Sequence, residues 1–114
     1  MLLNVRVSGA GTWTILHVHG EVDMATCPEL RQEIVAQIGQ GNSNLVIDLS
    51  EVEFIDSTGL GVLIGGLKRA RGQGGDLRVS GIEARLEKMF ELTGLGDVLV
   101  VVDNADPDVE IGAA

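Results

Sequence analysis

The chain opens with two short runs that are rich in β-forming residues. They span residues 3–7 and 13–18 and are joined by Ser8-Gly9-Ala10-Gly11. Runs of this kind on either side of a small, glycine-rich segment are typical of two strands and a turn. The pattern therefore predicts an antiparallel hairpin at the start of the fold.

The apolar period lengthens to that of a helix after Thr26. Thr26 and Glu29 are spaced as a capping box, and Pro28 stands in the first turn, where it is tolerated. The apolar residues that follow lie on one helical stripe: Cys27, Leu30, Ile34 and Ile38. We expect this helix to end near Gln40.

Strands and helices alternate through the rest of the chain. Residues 45–49 form a nearly continuous apolar run, which is typical of a central strand covered on both faces. The later elements are a helix that follows Asp56-Ser57-Thr58 and ends near Gly72, a strand at 77–79, a helix through Thr93 with Gly94 as its C-cap, and a strand at 98–102.

This order predicts one α/β domain over residues 1–103, followed by an acidic C-terminal tail or a short terminal helix at 104–114. We expect a mostly parallel central sheet of about five strands, an N-terminal antiparallel hairpin and roughly three to four helices. Right-handed crossovers place successive β-α loops on one edge of the sheet. The loop with Glu21 and Asp23 should therefore lie beside the loop that precedes the second helix, where open α/β sheets bind.

Charge and composition narrow the choice of partners. Seventeen acidic and eight basic residues give a net charge of −9 over 114 residues, which repels phosphate backbones and anionic lipid. Neither nucleic acid nor a membrane is an expected partner. The chain has no signal-like start and no apolar run of about 20 residues, so we expect a cytoplasmic protein.

Ser57 lies in the sequence D-S-T-G at the predicted start of the second helix. Asp56 or Ser57 could simply be the N-cap of that helix. A dinucleotide loop would need glycine where the chain has Ile64, and a hydrolase elbow would need glycine where it has Ile55. These motifs are absent, so the spacing alone predicts a helix cap.

The remaining chemistry-bearing residues indicate no metal, cofactor or catalytic residue. His17 and His19 lie two apart on an early strand, and Cys27 is the only soft ligand that could join them. We expect solvent-facing or packed histidines rather than a metal site. The single cysteine cannot form an internal disulfide, and we expect it to be buried and reduced.

The glycines of the second helix form a small face. Gly61 and Gly65 are four residues apart, a spacing that lets a helix approach the sheet or a neighbouring helix closely. Gly59 could also admit the backbone of a partner.

Three segments carry a family resemblance: GEVDMAT at residues 20–26, VIDLSEVEFIDSTGLGVL at 46–63 and GLGDVL at 94–99. They resemble the STAS domain, whose family groups sulfate-transporter tails with anti-sigma factor antagonists, also called anti-anti-sigma factors. The resemblance extends from the first strand to about Asp103, and it implies the same α/β fold.

In the stand-alone antagonists of this family, the serine of D-S-[ST]-G is phosphorylated by an anti-sigma factor that is a serine kinase, and a metal-dependent serine phosphatase reverses this. The resemblance implies that Ser57 is the acceptor, with Thr58 as a second candidate. It also implies that the unphosphorylated form binds the anti-sigma factor and frees a sigma factor for transcription, without contact to DNA. The residues expected at the partner contact are Glu21, Asp23, Met24, Asp56, Ser57, Thr58, Gly59 and Leu60.

A phosphate on Ser57 would add a charge of about −1.5 to −2 beside Asp56, and we expect Asp23 and Glu21 to lie close by, so that like charges accumulate there. We expect the amides of Gly59 and Leu60 to donate to it, so that the switch changes docking rather than folding. Two alternatives stay open. One is a STAS subunit of a transporter or signalling complex that acts without phosphorylation, and the other is a small serine hydrolase using Ser57, for which the sequence offers no convincing base.

Overall fold

The computed structural model describes residues 3–94 and 97–102, which form a five-stranded sheet and three helices. The elements in chain order are β1 (Leu3–Ala10), β2 (Trp13–Val22), α1 (Cys27–Gly39), β3 (Asn44–Ile55), α2 (Ser57–Gly72), β4 (Asp76–Ser80), α3 (Ala84–Thr93) and β5 (Val100–Val102). The predicted order is confirmed, whereas the predicted tail at 104–114 lies outside the described residues. No helix in the described ranges is long and apolar enough to cross a membrane.

The sheet has the strand order β1-β2-β3-β4-β5. The β1-β2 pair is antiparallel and every other neighbouring pair is parallel, as the sequence predicts. The hairpin turn is tighter than predicted, because Ser8 to Ala10 still pair with β2 and Ala10 lies opposite Trp13. The turn residues are Gly11 and Thr12, and Gly11 adopts a φ of 60°, which glycine tolerates without strain.

All three helices pack against the same face of the sheet. Their buried residues form one cluster with alternate residues of the central strands, such as Leu16 and Ile47. The intervening strand residues point the other way, where Trp13, Ile15 and Val46 form a small second cluster. The central strand is therefore covered on both faces, as predicted, but within the described residues its second cover consists of side chains rather than helices.

β3 is longer than predicted, since it continues from residue 49 to Ile55. Its register with β2 shifts at two points, and Val52 and Ile55 return to the main buried cluster. The polar residues around these shifts interrupt the apolar run, so the extension leaves no continuous pattern in the sequence. It has a direct consequence for the site, because it brings Asp56 to the sheet edge where α1 and α2 begin.

The helix ends agree closely with the sequence. α1 ends at Gly39 and α2 at Gly72, and Gly94 caps α3 with a φ of 74° in the left-handed region. β5 is shorter than predicted and begins at Val100. Cys27 is buried and free, as expected.

Candidate functional site

The two loops expected to meet at the carboxyl edge of the sheet do meet. The Asp56 amide donates a hydrogen bond to the Val22 carbonyl over 3.1 Å, which joins the loop after β3 to the end of β2. A Cβ on Gly59 would lie only 2.7 Å from Val22 Cγ1 and 2.8 Å from Ile55 Cγ1. The predicted juxtaposition is confirmed, and the glycine in D-S-T-G is what allows the contact to be this close.

Asp56, rather than Ser57, is the N-cap of α2. Its Oδ1 accepts a hydrogen bond from the Gly59 amide over 3.0 Å, and its carbonyl accepts one from the Leu60 amide at the same distance. The expectation that these two amides would receive a phosphate is wrong, because Asp56 already engages both. The amides of Ser57 and Thr58 lie in the first turn of α2, where no intrahelical carbonyl is available to accept from them.

Ser57 is exposed at the first position of α2. Its hydroxyl forms no hydrogen bond with any other described residue, and its side chain contributes nothing to the buried cluster. Thr58 follows it and is half-buried. The Ser57 hydroxyl is therefore accessible at the helix start, and no hydrogen bond to another described residue has to be broken to reach it.

The loop from Glu21 to Thr26 is held together by Asp23. The Asp23 Oδ1 accepts hydrogen bonds from the amides of Ala25 and Thr26 over 2.9 and 3.0 Å. The Thr26 hydroxyl donates to the Glu21 carbonyl over 2.6 Å and accepts from the Asp23 amide over 3.0 Å, and it makes no capping hydrogen bond in α1. The predicted capping box of Thr26 and Glu29 is wrong, because groups of Asp23 and Glu21 already bind both the amide and the hydroxyl of Thr26.

The structure divides the expected contact residues into exposed and buried sets. Met24 is 75% exposed at the tip of its loop. Leu60 is only 2% exposed and packs in the main cluster, and Gly59 is also buried. α2 presents both Gly59 and Leu60 to the sheet, so neither has an exposed side in this structure, and the direct partner contact expected of them stays a prediction.

Glu21 and Ser57 point to different cavities. Glu21 lines a cavity with Leu3, Asn4, His19, Gly20 and Glu53, next to β1. Ser57 lines a cavity between α1 and α2. The Glu21 carboxylate therefore does not add its charge to the Ser57 cavity, although its loop lies at the same edge.

A groove of about 350 Å³ begins at Ser57 and runs between the first two helices. We call it the α1/α2 groove, and its lining residues are Arg31, Ile34, Val35, Ser57, Thr58, Gly61, Val62, Gly65, Gly66 and Arg69. A Cβ on Gly61 or Gly65 would meet nothing within 4 Å, so these glycines open the groove instead of bringing the helices together. The close approach predicted for them occurs at Gly66, where a Cβ would lie 3.1 Å from Ile34 Cγ2.

Sequence reasoning missed Arg31 and Val35 as parts of this site. Val35 is 39% exposed, and Arg31 is also exposed. The two residues are four apart in α1, so they share one face of that helix. The spacing of the two residues was visible in the sequence. It indicates a shared surface only once α2 is known to pack beside α1.

A second polar cluster lies on the face of the sheet that the helices leave open. His17 Nε2 is 2.8 Å from Ser8 Oγ, and His17 Nδ1 is 2.9 Å from Asp48 Oδ2. Burial raises the pKa of Asp48, but the Ser50 amide and His17 outweigh it and hold the pKa below its ordinary value. His17 is thus packed and paired. This agrees with the prediction that the histidines are either packed or solvent-facing.

The serine of this cluster is half-buried and does not border the cavity beside it. The adjoining cavity of about 330 Å³ is bordered by His17 and Asp48 but not by Ser8. His19 is exposed and lies 3.9 Å from Glu51. Within residues 3–94 and 97–102, no three His, Cys, Asp or Glu side chains are grouped so that they could hold a metal ion.

These features define a class of protein: a single α/β domain with helices on one face of a mixed sheet and an exposed, helix-starting serine at its loop edge. A family model described as "Mlab, STAS domain" matches residues 5–102. The chain therefore belongs to the STAS domain family, within the group that includes the anti-sigma factor antagonists.

Similar proteins agree with this assignment. The anti-sigma-B factor antagonist of Bacillus subtilis is 34% identical over 110 residues, which cover 96% of this chain and 100% of that protein. The crystal structure of an anti-sigma factor antagonist from Mycobacterium paratuberculosis has a TM-score of 0.87 at 28% identity and covers 99% of this chain and 96% of its own.

The antagonist SpoIIAA of Bacillus has the same fold. Its structure in the unphosphorylated form has a TM-score of 0.71 at 18% identity, covering 92% of this chain and 93% of its own. Its structure in the phosphorylated form has a TM-score of 0.72 at 18% identity, covering 97% of this chain and 100% of its own. The curated relatives carry the name anti-sigma-B factor antagonist, which describes a regulator and not an enzyme.

Proposed function

We propose that this chain is a cytoplasmic anti-sigma factor antagonist whose docking is switched by phosphorylation of Ser57. In the unphosphorylated state it binds an anti-sigma factor that is a serine kinase, and this binding releases a sigma factor. The observation that carries the proposal is the exposed Ser57 hydroxyl, fixed at the start of α2 and beside the α1/α2 groove. The 34% identity with an anti-sigma-B factor antagonist supports the same partner class.

The docking edge that we propose consists of Met24, Ser57 and Thr58 together with the entrance of the α1/α2 groove. Met24 supplies an exposed apolar contact, and the groove adds Val35 as a second one. Asp23 and Asp56 shape the two loops from within, since each binds backbone amides through Oδ1. An apolar centre with polar groups around it is the usual arrangement of a protein interface.

Phosphorylation transfers the γ-phosphoryl group of ATP to the Ser57 hydroxyl. The bond between Ser57 Oγ and the γ-phosphorus forms, the bond from that phosphorus to the ADP oxygen breaks, and the hydroxyl proton leaves to a base of the kinase. A metal-dependent serine phosphatase returns the hydroxyl by using water and releases inorganic phosphate. Thr58 is half-buried, so it is the weaker acceptor of the two.

The added phosphate blocks docking without unfolding the domain. It places a charge of about −1.5 to −2 at the centre of the docking edge, next to the Asp56 carboxylate. A partner that packs on Ser57 would have to bury or displace this charge. Because the Ser57 side chain takes no part in the buried cluster, no internal contact is lost.

The decisive experiment combines phosphate mapping with binding. The purified chain is incubated with candidate kinase anti-sigma factors and ATP, and the acceptor is located by mass spectrometry. Binding to the same kinase is then measured for wild type, Ser57→Ala and Ser57→Asp, and Thr58→Ala is phosphorylated in parallel to test the second candidate acceptor. We expect phosphate on Ser57 only, in wild type and in Thr58→Ala alike, near-normal binding by Ser57→Ala, and strong loss of binding by Ser57→Asp.

Two results would overturn the proposal. If Ser57→Asp binds as tightly as Ser57→Ala, charge at this position does not control docking. If phosphate appears on another residue, the acceptor has been assigned wrongly.

A further inference from the structure

We propose that Arg31 is the internal counter-charge for phosphorylated Ser57, and that their pairing closes the entrance of the α1/α2 groove. The inference rests on the proposed phosphorylation of Ser57 and adds to it a residue on a different helix. It begins from one observation: Arg31 and Ser57 line the same cavity.

The two helices bring these residues within reach of one another. α1 and α2 both begin at the carboxyl edge of parallel strands, so they run side by side in the same direction. They touch where Ile34 meets Gly66, which places Arg31 level with residue 63. Ser57 lies six residues, or about 9 Å of helix rise, nearer to the common edge.

The direction of the side chains shortens this distance. Side chains of a helix lean toward its N-terminus. The Arg31 side chain therefore leans along the groove toward Ser57. A phosphate extends Ser57 in turn, and an arginine can then bind two phosphate oxygens at once through its fork of N–H groups.

Arg31 is free to make this contact. It forms none of the ion pairs seen within residues 3–94 and 97–102. Its side chain is exposed, so it can reorient without a loss of core packing. The carboxylate nearest to Ser57 in sequence, Asp56, repels a phosphate, which makes a cation on the opposite side of the groove the natural partner.

Arg69 provides a matched control at the other end of the same groove. It lines the same cavity and carries the same charge, but it stands twelve residues after Ser57 in α2. That separation corresponds to about 18 Å of helix rise, which is too far for a direct contact. An effect of Arg31 that Arg69 does not share is therefore an effect of position, not of net charge.

The pairing of Arg31 with the phosphate would obstruct the entrance of the whole α1/α2 groove, and not only the position of Ser57. In the unphosphorylated chain the groove is open from Ser57 toward Arg69. Once Arg31 is drawn to the phosphate, its side chain crosses the entrance between the helices. A partner then meets a closed groove as well as a charged serine.

The test uses the full chain with phosphoserine installed at position 57 during biosynthesis, so that no kinase is needed. The second pKa of the phosphate, about 6 for an unpaired phosphoserine, is measured by phosphorus NMR as a function of pH. A paired arginine favours the dianion and lowers this pKa. We expect Arg31→Gln to raise it by about half a unit or more, Arg31→Lys to raise it less, and Arg69→Gln to leave it unchanged.

The inference is overturned if Arg31→Gln leaves the phosphate pKa where it is in wild type. It is also overturned if Arg31→Gln and Arg69→Gln raise the pKa equally, because the effect would then be one of overall charge. Failure of any kinase to modify Ser57 would instead refute the proposed function, while the titration would still decide the pairing. The two ideas can therefore fail separately.

Discussion

Gly59 and Gly61 stand two residues apart in the same helix, and we expect alanine to have opposite effects at the two positions. Neither glycine has a positive φ, so both backbones accept alanine. At Gly59 the new Cβ would lie 2.7 Å from Val22 Cγ1, 2.8 Å from Ile55 Cγ1 and 3.1 Å from the Val22 carbonyl oxygen. At Gly61 nothing lies within 4 Å.

The magnitudes follow from these distances. Overpacking of a tight site costs about 1 to 3 kcal/mol. Val22 is β-branched and stiff, and a backbone oxygen cannot turn away, so the strain at Gly59 exceeds the helix-propensity gain, which is at most about 1 kcal/mol. Gly59→Ala should therefore destabilise the domain by about 1 to 2 kcal/mol, whereas Gly61→Ala should stabilise it by about 0.5 to 1 kcal/mol.

Urea unfolding at neutral pH, followed by far-UV circular dichroism, measures both variants on one scale. The midpoint should fall for Gly59→Ala and rise for Gly61→Ala, with the dependence on urea unchanged. In thermal scans, each kcal/mol corresponds to about 3 to 5 °C for a domain of this size. If Gly59→Ala proves as stable as wild type, the close contact of α2 with the end of β2 does not constrain this position, and the reasoning fails.

Three further predictions concern the cap, the open face and the docking edge. Asp56→Ala should lower the free energy of unfolding by about 1 kcal/mol and Asp56→Asn by much less, because asparagine also caps helices; urea titration distinguishes them. The folded pKa of Asp48 lies below its ordinary value of 3.8, so its contribution to stability is present above that value and is lost as the pH falls through the folded pKa. Unfolding free energies measured between pH 7 and 3 should therefore fall less steeply for Asp48→Asn than for wild type. Met24→Ser should weaken binding to the anti-sigma factor without changing stability, since Met24 is 75% exposed; equal affinities in calorimetry would remove Met24 from the docking edge.

The sequence predicted the meeting of the two loops because topology alone determines it. Parallel strands with right-handed crossovers bring their β-α loops to one edge, whatever the loop residues are. The choice between Asp56 and Ser57 as N-cap could not be made in this way, since both residue types cap helices equally well. The extended backbone of Asp56 and its bond to the Gly59 amide decide it.

The glycines of α2 show where a usable signal was overlooked. Gly59 and Gly66 share a helical face with Leu63 and Leu67, which are buried. Apolar neighbours on the same face indicate that these two glycines face the core. Gly61 and Gly65 share their face with Thr58 and Arg69, and polar neighbours indicate the surface. The residues that share a helical face with each glycine, and not only the spacing of the glycines, would have assigned the open groove to Gly61 and Gly65.

No pattern in the sequence predicts the cluster of Ser8, His17 and Asp48. His17 is separated from Ser8 by nine positions and from Asp48 by 31. Their meeting depends on the register of three strands, where His17 lies opposite both Arg6 and Asp48. A shift of one residue in either pairing would turn the side chains to the opposite face and separate them. Contacts of this kind become visible only when the register is known.

The two polar regions are separate in the structure, and for this reason the switch that we propose at Ser57 would act on docking while the fold stays constant. Ser57 lies at the loop edge and takes no part in the buried cluster, whereas His17 and Asp48 stabilise the open face of the sheet. The loops at the edge are fixed by Asp23 and Asp56, whose bonds go to backbone amides and do not involve the serine hydroxyl. The proposed phosphate would therefore meet a preformed surface, and its charge would change what that surface can bind without removing any bond that holds the surface in place.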